Sequence, residues 1–517
     1  MAVFCAASVA AFAQAPTVTA VQNSGDFSAN LCPGLLVSIY GSNFGPSTAN
    51  MPGVPVKGVT VTVGGAQGYV AEVVASNQIT AQLPFDAPTG AVAIIVTVSG
   101  VSSAPLNITL NATAPAFLTV GGLGTGNALV LSAAGKILTS TAPANPGDNV
   151  YLYAVGLGPT TPATPTGIAT ATNPTAVLPT LTVGGKPATV AAAVEVAQYA
   201  GLYQVNFQVP AGVQGNAPVI LTVGGVSTKP TSPVTMLVFG ITDIVSNASF
   251  GSAGTAAACS IASIFGNGFG TTSQSTGFPS TAFQGVSVSF NGTPAPLFHL
   301  TITAPTASTV GASQIDLLIP CELPATGSVN VALTNASATG PNYVLTMAAG
   351  APGLYFIQDP SMTTRFNVLA QFNNTAWLAM PASMATALGI PGNCTANKYS
   401  ALSLCGEPAA PGSYLVLYVT GLGLATPKGN PNGQPLTTGD IPPANGSVIY
   451  ETLATPTVTV GGFPVEVLFS GMAPGFAGLY QIDFQVPTGV TGDDVPVAVS
   501  ISGSPADTRT VSIQPSS

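Results

Sequence analysis

A stretch of thirteen residues, GLYQVNFQVPAGV at Gly201–Val213, returns as GLYQIDFQVPTGV at Gly478–Val490. Read with period two, Tyr203, Val205, Phe207 and Val209 fall on one face, and Leu202, Gln204, Asn206 and Gln208 on the other. That alternation describes a half-buried β-strand with its aromatic and β-branched side chains inward. Pro210 and Pro487 each remove the next ladder donor, and Gly212 or Gly489 then turns the chain. A strand that ends in a fixed turn, used twice, predicts a repeat array. It names no chemistry.

Other pieces recur in the same order. SIYGSNFG (Ser38–Gly45) is answered by SIFGNGFG (Ser263–Gly270), and SNQITAQLPFDAPTG (Ser76–Gly90) by ASQIDLLIPCELPATG (Ala312–Gly327). YAVGLGPTTP (Tyr153–Pro162) is answered by YVTGLGLATP (Tyr418–Pro427), and LTVGGKPATV (Leu181–Val190) by VTVGGFPVEV (Val458–Val467). The chain therefore reads A–B–A′–B′, two copies of a two-domain unit. The expected segments are A over 16–112, B over 113–240, A′ over 241–347 and B′ over 348–517. The offset between copies is 237 at Pro115/Pro352 and 265 at Gly156/Gly421, so 265 − 237 = 28 residues are added in between. That insertion, about Asn373–Pro411, holds the single tryptophan, Trp377, and a PASMATALG run (Pro381–Gly389) that predicts a short helix.

Short alternating runs divided by GG, SN, PFDAPTG and SG are the pattern of antiparallel sandwiches. The expected fold class is all-β: a tandem array of about four immunoglobulin-like β-sandwich domains. In segment A, the GSNFG opening (Gly41–Gly45), the VTVGG strand (Val61–Gly65) and the closing ITAQLP run (Ile79–Pro84) resemble the IPT/TIG immunoglobulin-like family. In segments B and B′, the GLG element, the VGG strand, the repeated strand and the final VILTVGGVS (Val219–Ser227) are similar to another family. This is the uncharacterised C-terminal domain family described in Solibacter-type acidobacterial secreted proteins. The two resemblances imply architecture and export, and they bring no activity and no site residues.

Composition sets the remaining bounds. Apolar residues make up 46% of the 517 and charged residues only 5%, against about 25% charged in ordinary globular domains. Glycine (59), proline and hydroxyl residues fill the deficit, which is the vocabulary of strands and turns. Eight Lys/Arg against seventeen Asp/Glu leave a net charge of −9. No basic cluster is available to neutralise phosphates, so nucleic acid is not an expected partner. Beyond the N-terminus, Gly, Pro, Thr or Ser breaks every apolar run well short of the ~18 residues of a transmembrane helix. The N-terminal MAVFCAASVAAFAQAP (Met1–Pro16) reads as the apolar core and cleavage region of a secretory signal, residues 1–15. No Lys or Arg occurs before Lys57, so that signal reads as truncated at its start. The expected location is secreted or on a bacterial cell surface.

An exported chain permits disulfides. Cys394 with Cys405 is the best pair, close together in a turn-rich segment, and Cys259 with Cys321 is the next. Cys32 is then left over, free or intermolecular. The one histidine, His299, stands among apolar strand residues, and a Ser–His–Asp triad would have to use it. A glycosidase would need two convergent carboxylates, and only Asp493 and Asp494 adjoin, in what reads as a solvated turn. That pair is the one weak candidate for Ca²⁺, and no other cofactor or metal is expected. LPATG (Leu323–Gly327) spells a sortase signal, but it is internal and reads as a β-turn.

The functional expectation is a non-enzymatic, secreted or cell-surface, structural or adhesive repeat protein, with an extracellular glycan or protein as partner. The alternative is a carbohydrate-binding protein that uses Trp377, Tyr199 or Tyr203 as stacking platforms. A weaker one is an extracellular hydrolase.

Overall fold

The structure is a computed structural model, described for residues 14–48, 56–167, 171–228, 233–251, 253–336, 338–430 and 433–515. The expected signal, residues 1–15, lies almost wholly outside the described residues. The chain divides into two compact units, 1–239 with 305–311, and 240–304 with 312–517.

In the first unit, segment A is a sandwich. One sheet has four strands in the order Thr17–Asn23, Leu36–Ser42, Gln78–Gln82, Tyr69–Ala75. The facing sheet of five is built on Val59–Val63, Gly90–Val98 and Leu106–Leu110. Alternate side chains of both sheets close one core, including Val37, Ile39, Val61, Ile79, Ile94 and Val96, together with Phe44 from the turn that follows Leu36–Ser42. Ala114, Ala116 and Val155 from segment B belong to that same core.

Segment B is a single sheet of ten strands folded over a second core. Its long strand Lys186–Glu195 pairs with Thr180–Val183 at one end and with Leu202–Gln208 at the other, and so serves both layers. The inward set of the repeated strand, Tyr203, Val205, Phe207 and Val209, is exposed by no more than 1%. Burial of a side chain of this kind stabilises by about 1.5–3 kcal/mol.

The second unit repeats the plan with additions. Segment A′ has two five-stranded sheets, and the Cys259–Cys321 disulfide joins the turns flanking Ile261–Asn267 and Ala312–Leu318. Segment B′ has sheets of nine and seven strands. In its copy of the repeated strand, Tyr480, Ile482, Phe484 and Val486 point into the core.

Both units repeat the same close contacts within the second segment and between the two segments. Gly156 (φ 74°) and Gly421 (φ 81°) lie in the left-handed region. A Cβ at either would meet the carbonyl oxygen of Ala114 or Ala351 at 2.0 Å, so only glycine fits. The Tyr203 hydroxyl donates to the Gly158 carbonyl, and Tyr480 does the same to Gly423. Thr166 Oγ1 accepts the Phe85 N–H at 2.9 Å, and Thr438 Oγ1 accepts the Cys321 N–H at 2.8 Å.

Candidate functional site

The insertion of segment B′ is a folded cap and not a free loop. Trp377–Ala379 and Cys405–Glu407 add two parallel strands to the edge of the nine-stranded sheet, beyond Ala370–Phe372. The single helix among the described residues, Ala382–Ala387, buries Met384 and Ala385 against Leu378 and Met380, with Ile357 and Leu369 beneath. The Cys394–Cys405 disulfide, buried at both ends, closes the cap. The Trp377 indole N–H donates to the Ser400 carbonyl at 3.1 Å, and its ring stands edge-on to Phe372. Trp377 is therefore half-buried and anchors the loop that follows the helix. That loop ends in an apolar rim: Leu402 is 88% exposed, with Leu404 and Tyr399 exposed beside it.

The other proposed stacking residues separate. Tyr199 is 51% exposed and stands near Tyr153, whose phenol is raised first by burial and then by Tyr151 and Tyr199. The rings of Tyr151 and Tyr153 meet edge-to-face at 5.9 Å, so three tyrosines line one outward patch of segment B. Tyr203 is corrected: at 1% exposure its ring is core and cannot receive a ligand. Its alternation with Val205 and Phe207 is what turns it inward.

Several titratable groups singled out by the sequence are engaged by neighbours. Cys32 is fully buried, its thiol points at the Gly156 carbonyl, and burial pushes its pKa up to about 12. An intermolecular bond through it is thereby corrected. His299, Asp316 and Ser263 lie opposite one another on adjacent strands. The Ser263 hydroxyl donates to Asp316 at 2.7 Å, which puts the carboxylate in the middle, where a triad needs the imidazole.

Asp493 and Asp494 are solvent-exposed as expected, but lie in the irregular start of the strand Gly492–Ile501 and not in a turn. Asp493 accepts the Ser512 hydroxyl at 2.6 Å. Arg365 grips Asp494 with two N–H donors, at 2.7 and 2.9 Å, and also reaches the buried Asp359 at 3.1 Å. Hydrogen bonds from Ser361 and then Arg365 hold Asp359 below the usual carboxylate range, and Arg365 does so for Asp494. Asp494, held ionised by Arg365, is unsuited to be the general acid of a glycosidase. Among the described residues, no group of three or more His, Cys, Asp or Glu is placed to hold a metal.

Two features have no sequence signature. Glu195 is fully buried, and neither carboxyl oxygen closes a hydrogen bond of good geometry. Burial raises its pKa, and Thr164 and the Gly201 amide offset this only in part. The other is an aromatic cleft of about 620 Å³ in the second unit, walled by Phe278, Phe298, Tyr355, Gln371, Tyr418 and Phe476.

The sequence matches no curated protein. Among solved structures, the plexin A4 extracellular region aligns at 10% identity over 97% of this chain and 31% of that one, with a TM-score of 0.23. The chain thus spans about a third of the plexin region. FdeC, an Escherichia coli adhesin, aligns at 10% identity over 72% of this chain and 94% of its own, with a TM-score of 0.14. The SGBP-B protein of a Bacteroides ovatus mixed-linkage glucan utilization locus, solved with a mixed-linkage heptasaccharide, aligns at 13% identity over 94% of this chain and 90% of its own, with a TM-score of 0.16. Superposition scores this low leave the fold to rest on the strand pairing above. No helix among the described residues is long and apolar enough to cross a membrane. Residues 16–110, the first sandwich, match the family model of the IPT/TIG domain.

Proposed function

We propose that this is a non-enzymatic, exported adhesive array, in which paired β-sandwiches space and present a binding cap on the second pair. The observation that carries the reading is the apolar rim of Tyr399, Leu402 and Leu404 on the stapled insertion. Exposed apolar groups on a rigid mount mark an interaction surface. Two buried disulfides suit an oxidising compartment, which supports export to the bacterial surface or medium. We take the domain limits to be 16–112, 113–240, 241–347 and 348–517, with 113–240 and 348–517 as the Solibacter-type C-terminal kind. The absence of enzymatic activity is supported by the engaged acid pair and by the order of Ser263, Asp316 and His299.

A screen of matrix proteins and glycans with the wild-type protein and with Leu402→Ser/Leu404→Ser tests this. A matrix protein bound by the wild type and lost at least tenfold in the variant is the expected result. Equal binding by both would move the surface elsewhere. The carbohydrate reading keeps its own support in the half-exposed Trp377 and the Tyr151–Tyr153–Tyr199 patch. Retention of a glycan that falls with Trp377→Ala or Tyr199→Ala, and not with the rim variant, would put it first.

A further inference from the structure

We propose that the aromatic cleft of the second unit binds an uncharged, planar aromatic molecule that carries one hydrogen-bonding group, of the phenol class. A cleft of about 620 Å³ falls in the range of small-molecule sites, which are concave, mostly apolar and furnished with few polar groups. Phe278 and Phe298 stack with ring centroids 4.8 Å apart and planes within 12°, and so form a paired aromatic wall on which a further ring can pack. Phe476, on the turn before Tyr480–Gln485, is 59% exposed and stands at the mouth.

The polar groups are few and poised. The Tyr418 hydroxyl donates to Gln371 Oε1 at 2.7 Å. Gln371 Nε2 then keeps its two donors for a ligand, and the phenol oxygen of Tyr418 keeps an acceptor. The Tyr355 hydroxyl donates to Asn247 Oδ1 at 3.2 Å, and so also turns an acceptor outward. These few groups satisfy one or two hydroxyls at most. The many hydroxyls of a sugar would be desolvated here without partners, which costs about 1–3 kcal/mol each.

Charge selects further. No charged side chain lines the cleft, yet carboxylates stand behind both phenols. Tyr355 leads through Asn247 and Ser263 to Asp316, and Asp483 is near enough to Tyr418 to raise its pKa after burial has done so. With negative groups behind and no cation in front, an anionic ligand is disfavoured.

The first unit supplies an internal contrast. By register, Gln371 pairs with Val416, and Leu131 pairs with Tyr151. The 265-residue offset (Gly156 to Gly421) equates Tyr151 with Val416, and the 237-residue offset (Pro115 to Pro352) equates Leu118 with Tyr355. Two of the three polar handles, Gln371 and Tyr355, are thus leucines in the first copy, while Tyr418 is answered by Tyr153. The first copy builds the same frame without those two.

The test uses the full chain and calorimetric titration with 2-naphthol, naphthalene and 2-naphthoate at pH 7.5. We expect saturable binding of 2-naphthol, at least tenfold tighter than 2-naphthoate. Gln371→Leu, which restores the residue of the first copy, should weaken 2-naphthol by up to about tenfold, the worth of one hydrogen bond, and leave naphthalene unchanged. Phe476→Ser, at an exposed position, should weaken both neutral ligands and guards against a folding defect in the first variant. No saturable binding of 2-naphthol, equal binding by both variants and the wild type, or 2-naphthoate bound as tightly as 2-naphthol would each overturn the proposal. None of these outcomes depends on whether the cap is adhesive.

Discussion

At the scale of single residues, buried Glu195 and the two acids held by Arg365 carry opposite pH signatures. Glu195 has its pKa raised by burial. Below the ordinary glutamate value it is protonated in the folded and the unfolded chain, and there is no penalty. As the pH rises through the raised value, the folded chain must ionise a dry carboxyl, and stability is lost. Hydrogen exchange of the peptides covering Lys186–Glu195 and Leu202–Gln208 should therefore be slower at pH 5 than at pH 8 after correction for intrinsic rate, and Glu195→Gln should remove that difference. Asp359 and Asp494 have lowered values. Their stabilisation is present above about pH 4 and lost as the pH falls through the lowered values. Arg365→Met leaves Asp359 buried without its cation and should cost about 3 kcal/mol at pH 7. Urea titration of the second unit checks this, and Asp359→Asn in the same chain should recover much of the loss. None of this was legible in the sequence. Arg365 and Asp494 are 129 residues apart, and no spacing rule joins residues whose strands meet only through the sheet. Glu195 reads as one more acid in an alternating run.

At the scale of elements, the alternation of the repeated strand decided most of what could be read. It assigned Tyr203 and Tyr480 to the core, where both lie, and a period of two leaves no other choice once one face is buried. The insertion was legible as an insertion, from the jump in offset, and its helix from the PASMATALG run. Its two added strands were not, because Trp377–Ala379 and Cys405–Glu407 are three residues each, too short to show a period. The Cys394–Cys405 bond closes a loop with a sequence separation of 11, for which chain entropy suggests a stabilisation of about 3 kcal/mol. Replacing both cysteines by alanine should loosen the cap alone. The Trp377 emission should shift to the red, while the main thermal transition of the chain moves little.

At the scale of the whole chain, the A–B–A′–B′ order follows from matching segments, and the structure resolves it into two units divided near Phe239 and Gly240. Gly156→Ala or Gly421→Ala should destabilise its own unit by at least about 2 kcal/mol, since a left-handed backbone and a carbonyl contact are both violated. Two-transition calorimetry would show which unit is affected. The core of segment A is completed by Ala114, Ala116 and Val155 of segment B. The quantum of inheritance is therefore the couple and not the single sandwich. Residues 14–239 expressed alone should be soluble, whereas 14–112 should aggregate, because it would bare the hydrophobic wall that its sibling seals. A lineage that lengthens or shortens such a protein would have to do so in steps of two.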